Sequence, residues 1–204
     1  MFNINTVISD LFDGQRRYGG RSAVRIYFEI IDKIDNTDIK LEEDSDFVRD
    51  VQNFFAIRYR TSEFMFNFCA NIRKIRNNFG VYNIYSVSDD LINFSKSKRE
   101  ISFSSKLLHL SDPCHSFVIY DRNVRSCFKM KNIKSYEKLK IKFFAFKNEI
   151  LSGNINNILC AEYVEFLGKF NIRLDECKIG LSENKKIDFY LWDRARYLDQ
   201  YPIW

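Results

Sequence analysis

Helix breakers are scarce in this chain. Its 204 residues include only 7 glycines and 2 prolines, too few for the repeated tight corners of a sandwich or barrel, so long helices are expected. Hydrophobic residues supply 46% of the sequence and charged residues 29%, a balance that builds a folded core and argues against a disordered chain. The expected fold class is mainly α: one helical domain over residues 1–204, built either as one body or as two lobes.

Hydrophobic spacing places the helices. After Gly19 and Gly20, residues 22–34 carry Val24, Tyr27, Phe28 and Ile31 at helical intervals behind Ser22, a good cap. The acidic stretch 36–46 reads as an exposed connection. Residues 45–59 read as a helix with Phe47, Val48, Val51, Phe54 and Phe55 inward. Residues 61–78 read as another, entered through Thr61 and Glu63 and stopped by Gly80. Residues 81–86 are β-like in composition and read as a short strand or an extended connection, after which Ser88 caps a helix over 89–94. A polar patch at 95–100 precedes a helix over 101–110, which Pro113 stops. The short apolar run 116–120 leads into a helix over 121–130 capped by Asp121. Two more helices follow at 135–151 and 155–170 around Gly153, and a last one at 185–199.

Charge and cysteine usage bound the environment. Lys and Arg total 32 against 27 Asp and Glu, a net charge of +5, which permits a nucleic-acid partner without requiring one. The distribution says more. Arg122, Arg125, Lys129, Lys131, Lys134, Lys138, Lys140, Lys142 and Lys147 crowd one segment whose single acid is Glu137. Such a segment either tracks phosphates or forms solvated helix faces. The cysteines, at 69, 114, 127, 160 and 177, are odd in number and include no C-x-x-C pair, so reduced thiols and a cytoplasmic location are expected. No apolar run approaches a membrane span, and the first residues, with Asp10 and Asp13 and no basic stretch, predict no secretory signal. Near the start, the Gly–Arg stretch 14–21 lacks the G-K-[ST] ending of a phosphate loop. It reads as a basic contact or simply as a loop.

The most informative stretch runs from Leu91 to Phe128, fewer than a fifth of the residues. A helix ends at Phe94, a tight polar turn follows, and a second helix contains FSSKLLHL. The break DPCHS then leads to Phe117-Val-Ile-Tyr-Asp-Arg-Asn-Val. This pattern resembles the helix-hairpin-helix superfamily of DNA glycosylases, in which a helical hairpin precedes an apolar run and an aspartate at the start of the next helix. The resemblance implies a helical glycosylase-like fold, with a degenerate helix-hairpin-helix and a cleft between helical lobes. Its implied activity is excision of a modified or mismatched base in DNA repair, with Asp121 as the catalytic carboxylate.

Three departures qualify what carries over. The position that holds Lys in lyase-type members falls at Phe103, which cannot form a Schiff base; Lys106, one turn on, is a candidate shifted nucleophile or a solvated helix lysine. The turn Ser95-Lys96-Ser97-Lys98-Arg99 has no glycine, so side chains must replace close backbone approach to a phosphate. The four-cysteine cluster of some members is absent, and no iron–sulfur site or other cofactor is implied. Arg122, Arg125 and Lys129 complete the expected DNA-binding set. Phe103, Tyr120 and Trp192, with Phe189 and Tyr190 as further candidates, are expected to wall the base pocket.

The chemistry suits the residue type. Positive charge develops on the sugar as a base leaves, and a fixed carboxylate beside C1′ stabilises it or orients water. Asp is also a common N-cap, so Asp121 either caps, catalyses or does both. His109, His115 and Cys114 lack a second ligand pair at the usual spacing, and no metal is expected. The expected partner is DNA, bound by a monomer with no membrane association. The rivals are a non-catalytic DNA-binding module on the same scaffold and an interaction protein with no nucleic-acid role.

Overall fold

Local hydrogen bonds start most of the helices where the sequence offers a capping side chain. In the computed structural model, residues 3–14, 20–57, 60–95, 100–112, 114, 117–130, 135–154, 158–178 and 180–197 are described. They form ten helices: α1 (Ile4–Phe12), α2 (Ala23–Asp35), α3 (Ser45–Phe54), α4 (Ser62–Arg76), α5 (Ile84–Ser95), α6 (Ile101–Ser111), α7 (Arg122–Cys127), α8 (Tyr136–Leu151), α9 (Ile158–Cys177) and α10 (Glu183–Tyr197). A 3-10 turn at Phe79–Val81 precedes α5, and no strand occurs among the described residues. No helix among them is long and apolar enough to cross a membrane.

The chain divides into two compact units, one of residues 9–113 and one of residues 1–8 with 114–204. In the first, Ser22 starts α2 by accepting from Arg25 N at 3.1 Å, and Thr61 starts α4 by accepting from Phe64 N at 3.1 Å. Tyr27, Phe47, Phe64 and Phe68 form its buried aromatic core, and Tyr27 lies 5.5 Å from Phe54. α6 packs against α4 and α5 and is buried from Ser104 to Ser111. Its serines tolerate burial because they bond back to the helix, Ser104 to Glu100 O at 2.9 Å and Ser111 to Leu107 O at 2.8 Å.

Two helix ends in this unit are closed by cations distant in sequence. A helix leaves its last carbonyls without intrahelical partners. Beyond the end of α2, Arg73 donates to Lys33 O at 2.9 Å, Ile34 O at 3.2 Å, and also to Asn36 O and Ile39 O. α3 stops at Phe54, earlier than the expected 59, because Ala56 turns the chain through the left-handed region at φ 51°. Ile57 N then bonds Gln52 O at 2.8 Å, and Phe55 O accepts from Lys106 Nζ at 2.9 Å.

α5 differs most from expectation. The β-like segment contains its start: Asn83 Oδ1 accepts from Tyr85 N at 2.9 Å and Ser86 N at 3.1 Å, while Asn83 N donates to Ser86 Oγ at 3.0 Å. This reciprocal capping box fixes the helix upstream of Ser88. Ser88 is therefore a fully buried residue within α5, not its cap. α1 was not predicted at all, although Asn3 caps it and Ile4, Val7, Ile8 and Leu11 are buried at helical spacing.

The second unit is built on aromatic packing. Phe128, Phe143, Phe146, Tyr163, Phe166, Phe170 and Tyr190 are all buried, so much of the aromatic content of the sequence is core. α10 packs against α7 and α9, and α8 against α9. Tyr163 OH bonds Glu183 at 2.7 Å; Tyr190 OH and Arg194 Nε meet Glu162 at 3.1 and 2.7 Å. These partners satisfy polar tips that burial would otherwise penalise.

Burial also sorts the thiols. Cys69, Cys127 and Cys160 are buried, Cys114 and Cys177 exposed. Desolvation pushes the Cys69 and Cys127 thiols up to about 12, far from the reactive thiolate. A disulfide-exchange reagent at pH 8 is expected to modify Cys114 and Cys177 on the native protein, and the other three only after unfolding. Fast native labelling of Cys127, read by peptide mass mapping, would contradict this packing.

Candidate functional site

Asp121 is positioned by an apolar run on one side and a short helix on the other. Phe117 stacks on Tyr136 with centroids 5.5 Å apart, and Tyr136 OH donates to Val118 O at 3.3 Å. Val118 and Ile119 are buried. The chain then reaches Asp121 in an extended conformation, φ −101° and ψ 152°, as an N-cap requires. Its Oδ1 accepts from Asn123 N at 2.7 Å. The residue is half-buried, and among the described residues no cation forms an ion pair with it. The carboxylate is thus oriented by a backbone N–H.

Behind it, α7 is fixed to α10. Val124 and Phe128 are buried, and Cys127 Sγ donates to Leu191 O at 3.2 Å. The basic residues diverge in their surroundings. Arg122 is exposed, and Arg125 lies over the Tyr120 ring at 4.6 Å. Lys129 is exposed at φ 53° and helps close the helix, where Met130 N bonds Arg125 O at 2.9 Å. On α8, Lys138 and Lys140 are exposed and Lys142 is half-buried. Lys147 instead bonds Asn184 at 2.7 Å. Lys131 and Lys134 lie outside the described residues.

Of the aromatic candidates in this unit, Tyr120 is buried between Tyr136, 6.3 Å away, and Arg125. Trp192 is half-buried on α10. Phe189 and Tyr190 are core residues, the first 6.0 Å from Phe170 and the second 5.3 Å from Phe166.

The other predicted residues belong to the first unit. Lys106 is not the solvated lysine that helix lysines usually are: it is 5% exposed, with its ammonium on Phe55 O and 5.3 Å from the Phe103 ring. Phe103 packs edge-on against Phe64 at 5.4 Å and beneath the Arg60 guanidinium at 4.5 Å, while Arg60 bonds Glu100 at 2.5 Å. His109 is buried, with Nε2 2.9 Å from Tyr27 OH. Ser95 ends α5, with its side chain outside what is described, as are Lys96, Ser97, Lys98, Arg99 and His115. Among the described residues no three His, Cys, Asp or Glu side chains gather as metal ligands.

One open groove of ≈590 Å³ was missed by sequence reasoning. Glu42, Val48, Arg49, Arg60, Glu63 and Phe66 help line it, and none of the predicted site residues does. Its walls come from the 42–43 turn, α3 and α4, elements without a local motif that joins them. No family model, curated protein or solved structure matches the chain.

Proposed function

We propose that this chain is a DNA N-glycosylase that excises a modified or mismatched base in cytoplasmic DNA repair, with Asp121 assisting cleavage. The observation that carries the reading is the Asp121 carboxylate. It follows the apolar run of the glycosylase pattern, is aimed by Asn123 N at 2.7 Å, and has no ion pair among the described residues. In the proposed reaction the C1′–N bond breaks and its electron pair leaves with the base. Water oxygen then bonds C1′, and the proton it gives up reaches the departing base through solvent, so the elements of water divide between sugar and free base. The Asp121 charge stabilises the developing positive sugar and orients that water.

The remaining roles follow from chemistry and exposure. Arg122 and Lys129, both exposed, and Arg125 contact phosphate. Trp192, half-buried on α10, walls the base; Tyr120 is not given this role, because Arg125 and Tyr136 already cover its ring. Phe103 is not given this role, because Arg60 and Phe64 already cover its ring. Lys106 is not given the nucleophile's role, because its ammonium closes the end of α3. Simple hydrolysis without strand cleavage is the activity proposed. The glycosylase-like fold is part of the same proposal, and one chain supplies every residue in it.

The test is release of free base, read by mass spectrometry, from duplexes carrying uracil, hypoxanthine, 8-oxoguanine, an alkylated purine or adenine opposite 8-oxoguanine. Release from at least one is expected, together with DNA affinity that falls steeply with salt. Salt-dependent binding without release from any substrate supports the non-catalytic module instead. Undetectable binding at low salt removes DNA altogether.

A further inference from the structure

We infer that the outer face of α9 is a self-association surface that takes a second copy of this chain, antiparallel, helix against helix. A surface helix normally buries one apolar stripe and turns charge outward. α9 has two apolar stripes. Cys160, Tyr163, Phe166, Phe170 and Leu174 point inward and are at most 3% exposed. On the opposite side, at spacings of three, four and four, lie Ala161, Val164, Gly168 and Ile172, all exposed, with Val164 at 42% and Ile172 at 61%. Between Ala161 and Ile172 the charged residues lie on the flanks of this outer seam, and Asp175 ends it one turn on.

Gly168 adds a second reason. Mid-helix glycine destabilises a helix relative to alanine, and here no neighbour in the chain demands it: a Cβ added at Gly168 meets nothing within 4 Å. Gly168 sits at the middle of the exposed seam, where a missing side chain lets another backbone approach closely.

Charge selects the occupant and its direction. Along one flank run Glu165, Lys169 and Arg173, with side chains 58%, 39% and 36% exposed. A two-fold axis at Gly168 sets Val164 against Ile172 of the copy. It also sets Glu165 against the copy's Lys169 and Arg173, in both directions at once. A parallel pair, related by a two-fold along the helices, would place the two charged flanks on opposite sides of the contact, where Glu165 meets neither Lys169 nor Arg173 of the copy. One helix pair buries less than a standard interface, so the association is weak, with a dissociation constant of about tens of micromolar. This surface is independent of the glycosylase reading.

Sedimentation velocity on the full chain from about 5 to about 500 µM tests it, since mass action makes a dimer grow with concentration. A monomer throughout that range overturns the proposal. Val164→Glu and Ile172→Glu are expected to raise the dissociation constant by at least about tenfold with little change in helicity. Glu165→Lys does the same in part, and Glu165→Lys with Lys169→Glu restores association. Gly168→Gln separates the two effects of the glycine: the thermal midpoint rises while association weakens. Direction is read by oxidising a mixture of Val164→Cys and Ile172→Cys chains that carry Cys114→Ser and Cys177→Ser. Crosslinks between unlike chains are expected, because a disulfide needs Cα atoms within about 7 Å. Predominant 164-to-164 crosslinks would overturn the antiparallel arrangement.

Discussion

If the chain is the glycosylase proposed above, Asp121→Asn is expected to lower base release about a thousandfold while leaving duplex binding and thermal stability nearly unchanged. The substitution is close to isosteric. Asn still offers an oxygen to Asn123 N, the 2.7 Å bond that Asp121 makes, and Asn is as good an N-cap as Asp. What disappears is the negative charge. Electrostatic groups aimed at a transition state contribute about 10²–10³ in rate when removed singly, and positioned general bases about 10²–10⁴. The companion Asp121→Ala separates the observed cap from the proposed charge role. It loses charge and cap together, so it matches Asp121→Asn in rate but also costs about 1 kcal/mol of stability. Single-turnover base release, filter binding and urea denaturation read the three quantities. If Asp121→Asn releases base at the parental rate, the carboxylate is a cap and nothing more.

Arg73→Ala is expected to be strongly destabilising in the first unit. The guanidinium bonds carbonyls of Lys33, Ile34, Asn36 and Ile39. Alanine leaves those acceptors to whatever water can reach them, and a buried acceptor without a partner costs about 1–3 kcal/mol. Part of this set is solvent-accessible, so the expected loss is about 2–4 kcal/mol. For a unit of this size that is a fall of about 10–20 °C in melting temperature. Arg73→Lys recovers little, because one ammonium cannot span carbonyls arranged for a planar fork. Urea unfolding followed by circular dichroism measures the loss, and a change below about 0.5 kcal/mol, the size of an ordinary surface substitution, would sink this account.

The same arginine marks where sequence reading stops. Helix starts are local: Ser22, Thr61 and Asp121 each bond a backbone N–H two or three residues on, so a short window of sequence contains the whole cause. Asn83 and Ser86 were equally local. They went unread because the Val, Tyr and Ile around them have β propensity, and a capping box outweighs propensity once the helix has a core to pack on. Helix ends are a different matter. Ala56, Lys129 and Lys178 take positive φ without glycine, and no residue type announces them. Arg73 and Lys106 act 34–51 positions away in sequence. Asp121 was legible as a capped carboxylate for the same local reason. The burial of Lys106 was not, because nothing near it in sequence shows that Phe55 presents a carbonyl to it.

Cations reaching back from α4 and α6 to finish α2 and α3 also bear on the order in which the chain is made. A nascent polypeptide emerging from the ribosome exposes α2 and α3 before Arg73 and Lys106 have been synthesised. Until those two side chains emerge, the carbonyl ends of the earlier helices must fray into water. The first unit consequently gains its stability late and together, once the sixth helix has been translated, and not helix by helix as the chain lengthens.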